Sequence, residues 1–165
     1  MANPINEKIA LAVLARMQSI TTANSYDFDA VPVRYTPTIA KRGPRYQDHL
    51  LVLSEGEETI EPDPPQQDEQ KIKAFRADYY IVESESSSTA IDQRLNIGAA
   101  NIEKAITADT ASVHTGPARQ WDELASNTFM NGQTRFDPGE GGSQGISIFF
   151  NVQYRHDEDD PFTQS

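Results

Sequence analysis

The stretch Lys71-Ile72-Lys73-Ala74-Phe75-Arg76-Ala77-Asp78-Tyr79-Tyr80-Ile81-Val82 alternates with a period of two. Phe75, Ala77, Tyr79 and Ile81 fall on one side of an extended chain, with Arg76, Asp78 and Tyr80 on the other. It is the clearest half-buried strand of the chain. Just upstream, His49 to Leu53 is a short apolar run, long enough for one inner strand. Residues 55 to 69 lie between the two and carry Glu55, Glu57, Glu58, Glu61, Asp63, Asp68 and Glu69 with Pro62, Pro64 and Pro65. That composition predicts an extended, solvated loop or a charged hairpin tip.

Further toward the N-terminus, Tyr26 to Tyr35 alternates but changes phase near Ala30 and Pro32, as a bulged or kinked edge strand does. Pro37 to Gln47 has no period and reads as a loop; its Lys41, Arg42 and Arg45 form the one basic cluster of an acidic chain. Asn3 and Pro4 suit a helix start. Ile5, Ile9, Val13, Met17 and Ile20 then recur at helical spacing, widened by Leu11 and Leu14, over residues 4–20.

Downstream of the central strand, Ser84 to Ser88 reads as a polar hinge, and Thr89 with Asp92 as a capping box. Ile91, Leu95, Gly98, Ala99, Ile102 and Ile106 predict a second helix over 90–107, whose Gly98, Ala99 and Ala100 permit close approach to a sheet. Residues 108–125, around the single Trp121, show no period. Thr128, Met130, Thr134 and Phe136 lead through a Gly-rich turn at 137–142 into Ile146, Ile148, Phe150, Val152 and Tyr154, a hairpin with a long loop. Helices and strands without strict alternation predict an α+β domain: a mainly antiparallel sheet of about five strands with two amphipathic helices on one face. The expected organisation is a single domain over 1–155 and a polar, acidic C-terminal tail over 156–165.

The chain has 165 residues, 14 Lys+Arg against 25 Asp+Glu, a net charge of −11 and no cysteine. A charge of that sign opposes wrapping by nucleic acid, although DNA can pass such a surface without sticking. The lack of cysteine removes disulfides, thiolate metal sites and cysteine nucleophiles. No apolar run approaches the roughly 18 residues of a membrane span, and Glu7, Lys8 and Arg16 interrupt any signal-like stretch, so the expectation is a soluble chain made inside the cell with no membrane partner.

His156, Asp157, Glu158, Asp159 and Asp160 have the residue types of a metal-dependent nuclease or hydrolase. Consecutive side chains diverge, however, and the EF-hand spacing is absent. His49 and His114 stand in no HExxH motif, no GxSxG occurs, and Gly139, Gly141, Gly142 and Gly145 precede a strand instead of opening a phosphate-binding helix. No catalytic residue, cofactor or metal is expected. The basic loop with Lys41, Arg42 and Arg45 and the acidic 55–69 segment read either as complementary patches that meet between copies in a heterologous assembly or as unrelated solvated loops.

The opening Ile5 to Ile20, the segment Leu50-Leu51-Val52-Leu53-Ser54-Glu55-Gly56-Glu57-Glu58 and the ending Phe150-Asn151-Val152-Gln153-Tyr154-Arg155-His156-Asp157-Glu158-Asp159-Asp160-Pro161-Phe162 resemble the tail terminator group of long-tailed bacteriophages, small proteins of the tail neck. Residues 108–125 have no counterpart in that resemblance. It implies a homo-hexameric ring in the virion neck, assembled in the host cytoplasm, that caps the tail tube protein, stops its polymerisation and meets a head completion or connector protein. A head–tail joining or minor tail completion subunit is the alternative within the same resemblance. Double-stranded DNA would pass through the lumen without specific binding, with Glu55, Glu57, Glu58 and Glu61 as candidate channel or rim acids. Lys41, Arg42, Arg45, Gly141, Gly142, Asp160 and Phe162 are the candidate inter-subunit contacts.

Overall fold

The computed structural model describes residues 4–42, 44, 46–60, 68–82, 89–107, 124, 125, 127–139 and 142–157. Helix α1 (Ile5–Gln18) is followed by a 3-10 turn (Thr22–Asn24), β1 (Val31–Arg34), α2 (Pro37–Arg42), β2 (Leu50–Ile60), β3 (Asp68–Val82), α3 (Ile91–Thr107), β4 (Asn127–Phe136) and β5 (Ser143–Asp157). The strands form one sheet in the order β1-β2-β3-β5-β4. Only β1 and β2 are parallel, joined by the crossover that contains α2; every other neighbour is antiparallel. This is the α+β architecture the sequence predicts, with a third, short helix where Pro37 to Arg42 was expected to be loop.

Both long helices cover one face of the sheet. Ile5, Ile9, Val13 and Met17 of α1 and Leu95, Ala99, Ile102 and Ile106 of α3 pack on Leu51, Leu53, Phe75, Ala77, Tyr79, Ile81 and the Ile146 to Tyr154 stripe of β5. Leu11 departs from the expected stripe and is 42% exposed, whereas Leu14 packs against the core. Pro4 sits at the N-cap of α1 instead of inside its first turn, and Asn3 lies outside the described residues. Gly98 meets its expectation: a Cβ there would stand 2.1 Å from Tyr79 Cε1, so a side chain at this position would hold α3 off β3.

The far face of the sheet carries a smaller cluster of Leu50, Val52 and Tyr80 with Val33, Tyr46 and Phe136. Phe150 is buried among the helices and Phe149 faces the other way, half-buried. On this far face Asp78 is 3% exposed; it accepts from Arg76 Nε at 2.7 Å and from Ser147 Oγ at 2.6 Å. Burial pushes the Tyr80 phenol up to about 12.

Four expectations are corrected. The strand expected over 26–35 is confined to Val31–Arg34. Phe28 turns into the core, the Ala30 amide donates to the Ile20 carbonyl at 2.9 Å, and the Asp29 carboxylate accepts the Thr22 amide at 2.6 Å, so this stretch ties itself to the end of α1 and not to a ladder. The acidic loop expected over 55–69 is strand through Ile60 and again from Asp68, leaving 61–67 outside the described residues. Thr128, Met130, Thr134 and Phe136 do not share a face. An irregularity between Met130 and Gly132 shifts the register, so Met130 packs under the helices and Phe136 packs on the opposite side. Finally, β5 continues through His156 and Asp157, which pair with Glu69 and Asp68, so the sheet extends into the segment expected to be tail.

Candidate functional site

β3 and β5 each have 15 residues and pair along their whole length, from Asp68 opposite Asp157 to Val82 opposite Ser143. At about 3.4 Å per residue the ladder is roughly 50 Å long. The 17 residues of α3 span about 25 Å at 1.5 Å per residue. On the outer half of the ladder residues 70–74 of β3 are only half-buried, while Val152 and Tyr154 of β5 beside them stay buried. Three of the four candidate acids lie on this outer half.

Their faces are set by a β-bulge. The register between β2 and β3 slips between Glu55, opposite Phe75, and Glu58, opposite Lys73, so two residues, Gly56 and Glu57, stand against the single Ala74. Without it, residues at odd spacing would point to opposite faces. With it, Glu55 and Glu58 both point to the helix side, where Lys71 and Lys73 alternate along β3. Lys73 Nζ lies 3.4 Å from Glu55, and Lys71 Nζ 3.7 Å from Glu58. Cross-strand pairs of opposite charge stabilise a ladder, which is why an acidic segment is strand here.

The network continues into α1 and β1. Arg34 donates two 2.7 Å bonds to the carboxylate of Glu7 and a further one to Glu55. The bidentate fork lowers the Glu7 pKa and raises that of Arg34. Glu58 accepts from Tyr154 Oη at 2.6 Å and, at the limit of hydrogen bonding, from Asn6 Nδ2 at 3.5 Å. Glu55 and Glu58 are thus paired carboxylates. Glu57 is exposed and makes no ion pair among the described residues, and Glu61 lies outside them.

Of the candidate inter-subunit residues, Lys41 is exposed on α2, which ends at Arg42, while Arg45, Gly141, Asp160 and Phe162 lie outside the described residues. Gly142 has φ +68°, a left-handed conformation that suits glycine just before β5. Of the residues weighed for a metal site, Glu158, Asp159 and Asp160 also lie outside the described residues. Among the described residues no three His, Asp or Glu side chains are grouped to hold a metal ion. Leu124 and Ala125 pack on the core, and the rest of 108–125, with Trp121, lies outside the described residues.

A second cluster was not legible in the sequence. His49, in a left-handed conformation with φ +60°, stacks on Phe28 with ring centroids 4.6 Å apart. Its Nδ1 is 2.7 Å from Tyr79 Oη, and its Nε2 is 3.6 Å from Asp48. Arg94 holds that same Asp48 carboxylate with two 2.6 Å bonds and donates to the Val82 carbonyl at 3.1 Å. Burial lowers the His49 pKa and raises that of Tyr79, which favours the neutral imidazole and the neutral phenol at this contact. The cluster borders a cleft of about 190 Å³ that Asp27, Thr89 and Ile97 also line. Its members come from four separate segments, and only the lone histidine stood out in the sequence.

No family profile matches the chain, and no curated protein matches it in sequence. Among solved structures it is similar to a chain of the virion of native gene transfer agent (GTA) particle, with 12% identity over 74% of this chain and 87% of that chain and a TM-score of 0.41.

Proposed function

We propose that this chain is a structural subunit of the neck of a long-tailed phage, a tail terminator whose copies form a ring that caps the tail tube, ends its polymerisation and offers a surface to the head connector. One observation carries the reading. The three stretches that resemble the terminator group belong to α1, β2 and β5, and they meet at one carboxylate: Asn6 from the first and Tyr154 from the last both bond Glu58 of the second. Segments far apart in sequence share a likeness where they come together, at the outer end of the ladder.

In this reading the subunit acts by shape and surface charge, without a chemical step. The net charge of −11 makes the ring a passage that does not bind DNA. Because Glu55 and Glu58 are neutralised by Arg34, Lys73 and Lys71, the lumen charge assigned to this end of β2 falls to Glu57 and Glu61. Electron microscopy of particles assembled from a genome lacking this chain tests the proposal. Tubes of variable or excessive length without heads are the expected result. Tails of normal length that fail to attach to heads would move the assignment to the head–tail joining subunit, and intact infectious particles would overturn both.

A further inference from the structure

We infer that Asn131 is a modification site: in the folded chain its side-chain amide converts, through a cyclic imide, to an aspartyl or isoaspartyl acid. The sequence supplies the reacting pair. Asn131 is the only asparagine of the chain followed by glycine, and a glycine leaves the attacking backbone nitrogen without a side chain to shield it. Asn-Gly is also the pair that two-residue hairpin turns favour. Here it lies inside β4 instead.

The fold supplies the freedom. Imide formation needs the Asn131 side chain and the Gly132 nitrogen to turn toward each other, a movement that a residue fixed in a regular ladder cannot make. Met130 stands opposite Phe150 and Gly132 opposite Phe149, which are consecutive partners, so Asn131 is the extra residue of a bulge with no position facing it on β5. Asn131 and Gly132 are both exposed. Gly132 has φ +106°, and a Cβ built on it would meet nothing within 4 Å, so the backbone beside the reacting nitrogen is open on that side. Among the described residues no hydrogen bond holds the Asn131 amide.

Other asparagines are held. Asn101 is 5% exposed and donates to Asp27 at 2.7 Å and to the Ile97 carbonyl at 2.8 Å. Asn24 donates to the Ser19 carbonyl at 2.9 Å, and Asn96 accepts from Arg135 at 2.8 Å. Asn151 stands between Ala74 and Phe129 in the middle of the sheet.

The chemistry needs only water. The Gly132 nitrogen attacks Asn131 Cγ and closes the imide ring; the Cγ–Nδ2 bond breaks, and Nδ2 leaves as ammonia with the proton given up by the backbone nitrogen. Water then opens the imide. Cleavage of the new N–Cγ bond returns a normal main chain carrying an aspartyl side chain, whereas cleavage at the other carbonyl leaves the main chain running through Cγ. Either product adds one negative charge to β4, which has no acid of its own.

To test this, the full-length protein is held in mildly alkaline buffer, folded by far-UV circular dichroism, beside a sample unfolded in guanidinium. Aliquots are separated by isoelectric focusing and digested with pepsin in acid, where the imide step is slow, and the peptide spanning Asn131 is analysed by mass spectrometry. The expected result is an acid form at Asn131 that accumulates in the folded protein at a rate of the same order as in the unfolded sample. An isoaspartyl methyltransferase should label that peptide, and Asn131→Gln, whose longer side chain closes a ring far more slowly, should abolish both signals. A folded chain that keeps Asn131 intact while the unfolded sample converts would overturn the inference. So would an acid form that arises first at another asparagine, or one that persists in Asn131→Gln.

Discussion

Gly98→Ala measures how closely α3 sits on the sheet. The new Cβ would lie 2.1, 2.6 and 2.7 Å from Cε1, Cζ and Cδ1 of Tyr79, where carbon atoms settle at about 3.5–4.0 Å. The Tyr79 ring is held in place by its neighbours. It is 1% exposed, its hydroxyl is held 2.7 Å from His49 Nδ1, and Phe28 lies against it with centroids 5.2 Å apart. Either α3 lifts by about 1 Å or more, or the His49 contact breaks. Overpacking of a fixed neighbour costs up to about 3 kcal/mol, and replacing glycine by alanine in a helix returns about 1 kcal/mol, for a net loss of about 2 kcal/mol. With a urea m-value of about 2 kcal/mol/M the unfolding midpoint falls by about 1 M at constant m, read by far-UV circular dichroism. In a Tyr79→Leu background the ring is gone, and the same substitution should change sign and stabilise by up to about 1 kcal/mol. A Gly98→Ala protein as stable as the parent, with Tyr79 intact, would refute this packing of α3 on β3.

Two further outcomes are expected. Tyr154→Phe keeps a buried ring and removes the 2.6 Å bond to Glu58; equilibrium unfolding should show a loss of about 1–2 kcal/mol, the usual worth of a hydrogen bond to a charged group, and no loss would mean that Lys71 alone holds the carboxylate. The folded pKa of His49 lies below its usual 6.5, chiefly through burial, so below that value the unfolded chain binds the extra proton first and stability falls as pH drops from 6.5 toward the folded pKa. Thermal melts from pH 7.5 to 5 should show this slope, and it should flatten in His49→Gln; an unchanged slope would place the titration elsewhere.

Much of the fold was legible because burial imposes a period. The Phe75 to Ile81 and Ile146 to Tyr154 stripes and the Ile5, Ile9, Val13, Met17 series each face one core, and each reads directly as a repeat of two or of three to four. Legibility failed where the chain changes phase. The bulges at Gly56–Glu57 and between Met130 and Gly132 move later residues to the other face, and a glycine inside an alternating run was the available signal for each. It failed again where charge was read as solvation. Glu55 and Glu58 looked like loop residues because Lys71 and Lys73, which neutralise them, belong to the next strand. The His49 cluster left no local pattern at all, since Phe28, Tyr79 and Arg94 come from other elements.

The sequence by itself determined the fold class, the helix and strand faces that build the core, the small residue at 98 that lets α3 approach β3, and the acidic charge that opposes nucleic-acid binding. These are properties of composition and of local period, which follow from backbone geometry and from the removal of apolar surface from water. Only the tertiary structure decided the strand order, the parallel placing of β1, the pairing of Glu55 and Glu58 with cations, and the face each residue beyond a bulge presents. Each of those depends on which distant segments become neighbours, and in an antiparallel sheet a single bulge or a short edge strand is enough to change that answer without altering the period on either side of it.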